Sequence, residues 1–369
     1  MKEEYKWLEE VCINQTINDK VDITWAAHHA SNKRNQPFQV SITSLMPLIQ
    51  DQAHSVVTIK HCMETIRDTV AFLNPGQIPV IAADQPLFSL AKQIQWQWPE
   101  YREDKYVVMF GGLHIEMAAL KSIGTFLEDS GWTTAISEAG VASSGTAESF
   151  LVAASVTKTR FAHQITASSL YILLKEAYKD YCSEVEMSGE SPLSYHEWHA
   201  KRKSESPQLQ FWNMIIDFDL YREALSELIP YFFANNNTNY ARWLPIHLRD
   251  MMSLDNQHPK VARELHKENF VVHKSQWEFS ALAIDQAHEQ NNAVIKGDGE
   301  AVGLTEDPVA LRRWMMAGPQ VRRLIAAYEA KICGKNAANT SKHHEQNSSA
   351  QKTFIDKLKA LHLVLKEIF

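Results

Sequence analysis

The segment AIDQAHEQNNAVIKGDG, residues 283–299, holds the densest set of side chains whose spacing suits chemistry. Asp285 and Glu289 are four apart, His288 lies beside them, and Asn292 and Lys296 continue the row. A helix aligns all five along one face. The opposite face offers little more than Ala287 and Val294. So polar a stripe over so thin an apolar face calls for a polar partner, such as a metal, a nucleic-acid backbone or an ion-pair network. A solvated face steadied by pairs one turn apart accounts for the same residues.

Two further residues join this set. Asp84 ends the apolar run Ile78–Ala83, which reads as a buried strand. In open parallel sheets ligands bind beyond the carboxyl ends of strands, where a carboxylate can hold a divalent cation or act as a base. Asp84 also precedes Pro86 and a helical pattern, so it reads equally as an N-cap. His114 follows Gly111-Gly112 at the end of a second apolar run, Tyr106–Phe110. Asp84, His114 and Glu289 together are acceptable ligands for a divalent metal, although their spacing alone is a weak signal. A lone histidine at a strand end also serves as a hydrogen-bonded structural residue.

Other features carry less. Arg312, Arg313, Arg322 and Arg323 form a local basic patch, and Arg312 and Arg313, with Lys296, are the candidate phosphate contacts. Asp307-Pro308 caps the helix that bears the first pair, and Gly318-Pro319 breaks it. His343, His344 and Glu345 lie in the polar stretch 334–350, which reads as a linker. Gly111-Gly112 lacks the other glycines of a dinucleotide loop, and no Walker lysine motif is present, which argues against a nucleotide-fuelled enzyme.

The elements that must position these residues follow from periodicity. The strand at 78–83, a helical stripe from Leu87 to Trp98, the strand at 106–110 and a helix from Leu113 to Leu127 imply two parallel strands joined by a crossover. Asp84 and His114 then face one crevice. Before residue 75 the pattern is helical. After about 147 it is again almost all helical, with candidates at 150–156, 162–181, 210–233 and 240–252. Phe270–Val272 and Glu278-Phe279 suit a small hairpin, and helices follow at 283–296, 308–317 and 319–333. The expected fold is mixed α+β or α/β, predominantly helical, with a small, partly parallel sheet. Its expected parts are a helical region at 1–75, a core at 76–333, a linker at 334–350 and a last helix at 351–369.

The chain has 369 residues, 45% of them apolar, and carries a formal charge of −7. This is ordinary globular material without a strongly basic nucleic-acid surface. Cys12, Cys62, Cys182 and Cys333 form no closely spaced pair, and MKEEYKWLEE has no apolar signal segment. Reduced thiols and an intracellular location, nuclear or cytoplasmic, are expected. No apolar run approaches the roughly 20 residues of a membrane helix.

The strings IPVIAADQPLFSLAKQIQW (78–96), VVMFGGLHIEMAALKSIGTFLEDSGW (107–132), TRFAHQITASSLY (159–171), YARWLPIHLRDM (240–251) and the run from Phe279 to Met315 resemble a family of uncharacterised animal proteins. These are multiplied in cnidarian, other invertebrate and fish genomes, are regarded as transposon-derived, and are related to a domain of unknown function also seen in fungi. The resemblance covers roughly 25–365. It implies a ribonuclease-H-like transposase core, in which separated carboxylates hold two metal ions, magnesium or manganese, and cut DNA phosphodiesters. By that resemblance Asp84 is one catalytic acid and Glu289 the last, with Asp285 as its near alternative, His114 sits where related cores carry a histidine beside the site, and the helical stretch at about 133–270 is an insertion within the core; Asp84, His114 and Glu289 remain the metal ligands expected from their residue types. Family members extend upstream, where the first catalytic strand lies, and no strand pattern precedes residue 76 here. A fragment or decayed copy is therefore expected. Two functions stand open, a transposase-like DNA enzyme and a noncatalytic helical remnant that binds DNA or protein.

Overall fold

The computed structural model describes residues 3–14, 51–195, 197–198, 218–267, 269–273, 281–296 and 356–365, with single positions at 40, 41, 43, 46, 49, 307, 309, 310, 313 and 317. In chain order the elements are α1 (Glu3–Asn14), α2 (Val56–Leu73), β1 (Val80–Ala83), α3 (Gln85–Gln97), β2 (Val107–Phe110), α4 (Gly112–Leu127), α5 (Trp132–Glu138) and α6 (Ser144–Phe150). They continue as α7 (Val156–Met187), α8 (Phe218–Ala234), α9 (Thr238–Gln257), α10 (Pro259–His266), β3 (Val271–His273), β4 (Ala281–Ala283) and α11 (Ile284–Lys296). A last helix, α12, covers 356–365. The fold is mostly helical with a small two-stranded parallel sheet, as the patterning predicts. The chain divides into two compact units, one from Asn35–Glu116 and Met214–Ser341, the other from Met1–Arg34, Met117–Asn213 and Lys342–Phe369. The stretch 133–270 is shared between them.

The first of these units is built on β1 and β2, which pair in parallel from Val80 opposite Val107 to Ala83 opposite Phe110. β2 is buried throughout and β1 is half-buried, so only the second apolar run is a fully enclosed strand. Two strands alone are marginal in water, and helices supply the cover. Phe88 of α3 stacks on Phe110 at 4.1 Å, and Gln95 donates to the Tyr106 carbonyl at 2.9 Å. α3 stops at Gln97, ahead of Trp98-Pro99, because the residue before proline disfavours helical geometry. The amine of Lys92 is buried 2.6 Å from Glu103 and 2.8 Å from Asp250 of α9. Arg249 closes this network by pairing with both acids. α8 packs along α9, and Tyr221, Leu225, Leu228, Leu244 and Met251 are buried.

β3 and β4 form an antiparallel hairpin with Val271 opposite Ala283 and His273 opposite Ala281. Its second strand follows Glu278 and Phe279, which lie outside the described residues, and runs directly into α11. The described part of the expected helix at 210–233 is helical from Phe218.

In the other unit, α7 spans 32 residues and includes the expected 162–181. Trp7, Leu8 and Val11 of α1, and Leu358, Leu361 and Leu365 of α12, are buried. The expected helix over 150–156 is corrected. α6 ends at Phe150, Ala153 takes a left-handed φ of 54°, and α7 begins at Val156. Phe150 and Ala153 are both buried and three residues apart, so a turn satisfies a spacing that reads as helical. Leu151 fixes this turn against α4, where a Cβ on Gly124 would lie 1.9 Å from its carbonyl oxygen. Among the described residues no helix is long and apolar enough to cross a membrane. Cys12, Cys62 and Cys182 are free thiols, and Cys333 lies outside the described residues.

Candidate functional site

β1 and β2 end at one edge of the parallel sheet, where the Gly111 N–H donates to the Ala83 carbonyl at 2.8 Å. α3 starts at this edge after Asp84, and α4 starts there at Gly112. The first turn of α4 leaves backbone N–H groups without helical partners. They are met by Asp285, the second residue of α11. Its Oδ1 accepts from Leu113 N–H at 3.1 Å, and its Oδ2 accepts from His114 N–H at 3.1 Å. Oδ1 also accepts from Gln286 N–H at 3.1 Å. Nδ1 of the His114 ring lies 2.9 Å from Oδ2. The residue thus does from a distant helix what an N-cap does locally.

The two glycines are explained by this approach. A Cβ on Gly111 would lie 2.3 Å from Oδ2 of Asp285, and one on Gly112 would lie 3.3 Å from the Cβ of Ala283. The pair makes room for a carboxylate and a strand rather than for a dinucleotide.

The electrostatics follow from the same contacts. Burial works to raise the Asp285 pKa, but the His114 ring and the N–H groups of Leu113 and His114 outweigh it and hold the carboxyl below its ordinary range. The Asp285 bond raises the His114 pKa against partial burial, and the charges of Asp285, Asp84 and Glu289 add to that rise. Asp84, Asp285 and Glu289 therefore act on one imidazole, whose Nε2 makes no hydrogen bond among the described residues. Asp84 does cap its helix, through Oδ1 accepting from Leu87 N–H at 3.2 Å.

The polar stripe of α11 is divided. Asp285 and Ala287 are buried, His288 and Glu289 are exposed, and Asn292 is half-buried. The stripe as a whole does not turn toward Asp84 and His114. Ala283 and Ala287 set the buried face, and of the stripe's charged groups Asp285 enters with them. The side chains of Lys296 and Arg312 lie outside the described residues, as do Arg322, Arg323 and 343–345; Arg313 is exposed. Asp307 accepts from the N–H groups of Val309 and Ala310 at 3.1 and 3.3 Å, the cap expected there. Among the described residues no group of three or more His, Cys, Asp or Glu side chains is placed to hold a metal ion.

Spacing gave no sign of Tyr240. Its hydroxyl donates to the His114 carbonyl at 3.3 Å. Burial, with the charges of Asp84 and Asp285, pushes its pKa up to about 12, so it stays protonated. Behind the sheet, Tyr221 O–H and Nε2 of His247 are 2.5 Å apart in a fully buried pair. Burial, assisted by the charge of Lys92, drops the His247 pKa to about 3. A small cavity of about 30 Å³ lies between Phe110, Gly112, Tyr221, Phe270 and Ile284.

A family model described as a domain of unknown function (DUF8702) matches residues 24–208 and 213–368, and the chain belongs to that family. No curated protein and no solved structure matches the chain.

Proposed function

We propose that the crevice at the carboxyl ends of β1 and β2 takes one divalent cation, and that the protein is transposase-like and acts on the phosphodiester backbone of DNA. The observation that carries this reading is the Asp285–His114 contact of 2.9 Å, which fixes the ring through Nδ1 and leaves Nε2 for a ligand. A carboxylate behind a histidine is the usual support of a metal-binding imidazole. Asp84, whose cap uses one oxygen, is the nearest further ligand on offer, and the exposed Glu289 would have to swing inward to join, because the three side chains are not placed to hold an ion together as they stand. Asp285 would not join them, because N–H donors already occupy both its oxygens. The donors suit one ion better than a pair bridged by Asp285. One imidazole with two carboxylates favours manganese over magnesium, which prefers oxygen alone.

Such an ion polarises a phosphoryl oxygen when bound. The protein's own residues hold and orient: Asp285 sets the imidazole, Asp84 keeps a carboxylate at the sheet edge, and Arg313, with Arg312 and Lys296, would meet flanking phosphates. Descent from a mobile element with a ribonuclease-H-like core belongs to the same proposal and is supported by the resemblance of the strings from 78 to 315. The second reading, a noncatalytic remnant that binds DNA or protein, is favoured by the capping roles of Asp84 and Asp285 and by the net charge of −7.

Calorimetric titration of manganese into wild type, Asp84→Asn and His114→Ala separates the two, with DNA binding followed by fluorescence anisotropy. The cation reading expects binding in wild type, weakened roughly tenfold by either substitution. DNA binding without any manganese heat would leave the noncatalytic reading.

A further inference from the structure

We infer that Tyr240 is a positioning residue for His114. This rests on the reading of His114 as the side chain that meets the ligand. Among the described residues three tertiary bonds reach His114. Asp285 takes its backbone N–H at 3.1 Å and its ring Nδ1 at 2.9 Å, and the Tyr240 hydroxyl donates to its carbonyl oxygen at 3.3 Å. α11 and α9 therefore both hold the residue, and among the described residues Nε2 is the polar atom left unengaged.

The Tyr240 ring is itself fixed. It stacks on Phe110 of β2 at 5.9 Å with 26° between planes, and on Phe232 of α8 at 5.4 Å with 21°. A ring clamped this way loses little further freedom when its hydroxyl bonds, so the bond acts at low entropic cost. The stack sets the height of the hydroxyl, the hydroxyl sets the first turn of α4, and that turn carries the imidazole.

The test is Tyr240→Phe, which keeps the ring stack and removes only the donor. Ring-¹⁵N histidine labelling, with His114→Gln to assign the signal, reads the solvent exchange of the His114 Nδ1 proton. We expect exchange to quicken roughly fivefold in Tyr240→Phe, the scale of one lost hydrogen bond, while the histidine signals of the other unit stay unchanged. An unchanged exchange rate would overturn the inference, whatever the metal data show. Manganese calorimetry on the same variant addresses the site itself. If wild type binds and Tyr240→Phe binds several-fold more weakly, both ideas hold. If wild type does not bind at all, the cation reading fails, and the exchange measurement still decides the role of Tyr240.

Discussion

Asp285 stands 171 residues along the chain from His114, yet its Oδ2 is 2.9 Å from the ring Nδ1 and 3.1 Å from the backbone N–H of the same residue. One carboxylate thereby caps α4 and fixes the imidazole that opens it. The acid is committed to holding rather than to ligation, which separates it from the ligand roles proposed for Asp84 and Glu289.

Asp285→Asn should be the most damaging change in the crevice. The amide offers one acceptor where the carboxylate offers two, so N–H groups of Leu113 and His114 compete for it. A loss of about 2 kcal/mol in urea-unfolding stability is expected. A value near zero would show that the cap contributes nothing net.

Glu289→Gln tests the opposite case. Glu289 is exposed, so apo stability should change by less than about 0.5 kcal/mol. If it is a ligand, the rise in melting temperature caused by manganese should disappear. A full, unchanged manganese response in the variant would move the site elsewhere.

Gly111→Ala places a methyl group 2.3 Å from Oδ2 of Asp285. The carboxylate must shift, and we expect a cost of about 1–3 kcal/mol together with faster exchange of the His114 Nδ1 proton. Gly145→Ala in α6 is the control, because nothing lies within 4 Å of its added Cβ. There a gain of about 0.5 kcal/mol is expected from helix propensity. Thermal melts of both variants check the contrast.

His163 gives the pH prediction. It is fully buried against Trp132, with ring centroids 4.9 Å apart and neither ring nitrogen hydrogen-bonded among the described residues. Burial lowers its pKa to about 4. Above the unfolded value of about 6.5 both states are neutral and nothing is lost. As pH falls from there toward about 4, the unfolded chain takes up a proton that the folded one refuses, so stability declines by about 3 kcal/mol over that window. His163→Leu should flatten this acid limb in urea titrations at stepped pH. An acid limb as steep as that of wild type would place the sensitivity in another group, with His247 the first alternative.

Much of the frame was legible in sequence. The run from Ile78 to Leu127 declares two strands and two helices, because apolar runs, Asp84 before Pro86, and Trp98-Pro99 mark its boundaries by local physics. The crevice was legible as an edge and not as a set of roles. Spacing put Asp285 and Glu289 on one helix face, but their fates differ because Ala283 and Ala287 bury one end of that face, which is a matter of tertiary packing. Tyr240 left no signal at all. Its partners are Phe232, on the helix just before its own, and Phe110 and the His114 carbonyl, both more than a hundred residues away. The spacing of Phe150 and Ala153 predicts a helix where the chain breaks, because a tight turn can bury residues three apart as well as a helix does.

The covering of the small parallel sheet has a consequence for the order in which the protein takes shape. β1 and β2 are only four residues each, and the side chains that close over β2 and its end, Tyr240 and His247 on α9 and Asp285 on α11, are encoded more than a hundred residues later. During synthesis from the amino terminus, the strand pair must wait on the ribosome with its apolar face open. A nascent chain arrested before residue 281 should be cut readily by protease between 78 and 114, and protection should arrive when α11 emerges. The protein's first-made strands are then among its last to be secured, and that interval is when a chaperone would have most to hold.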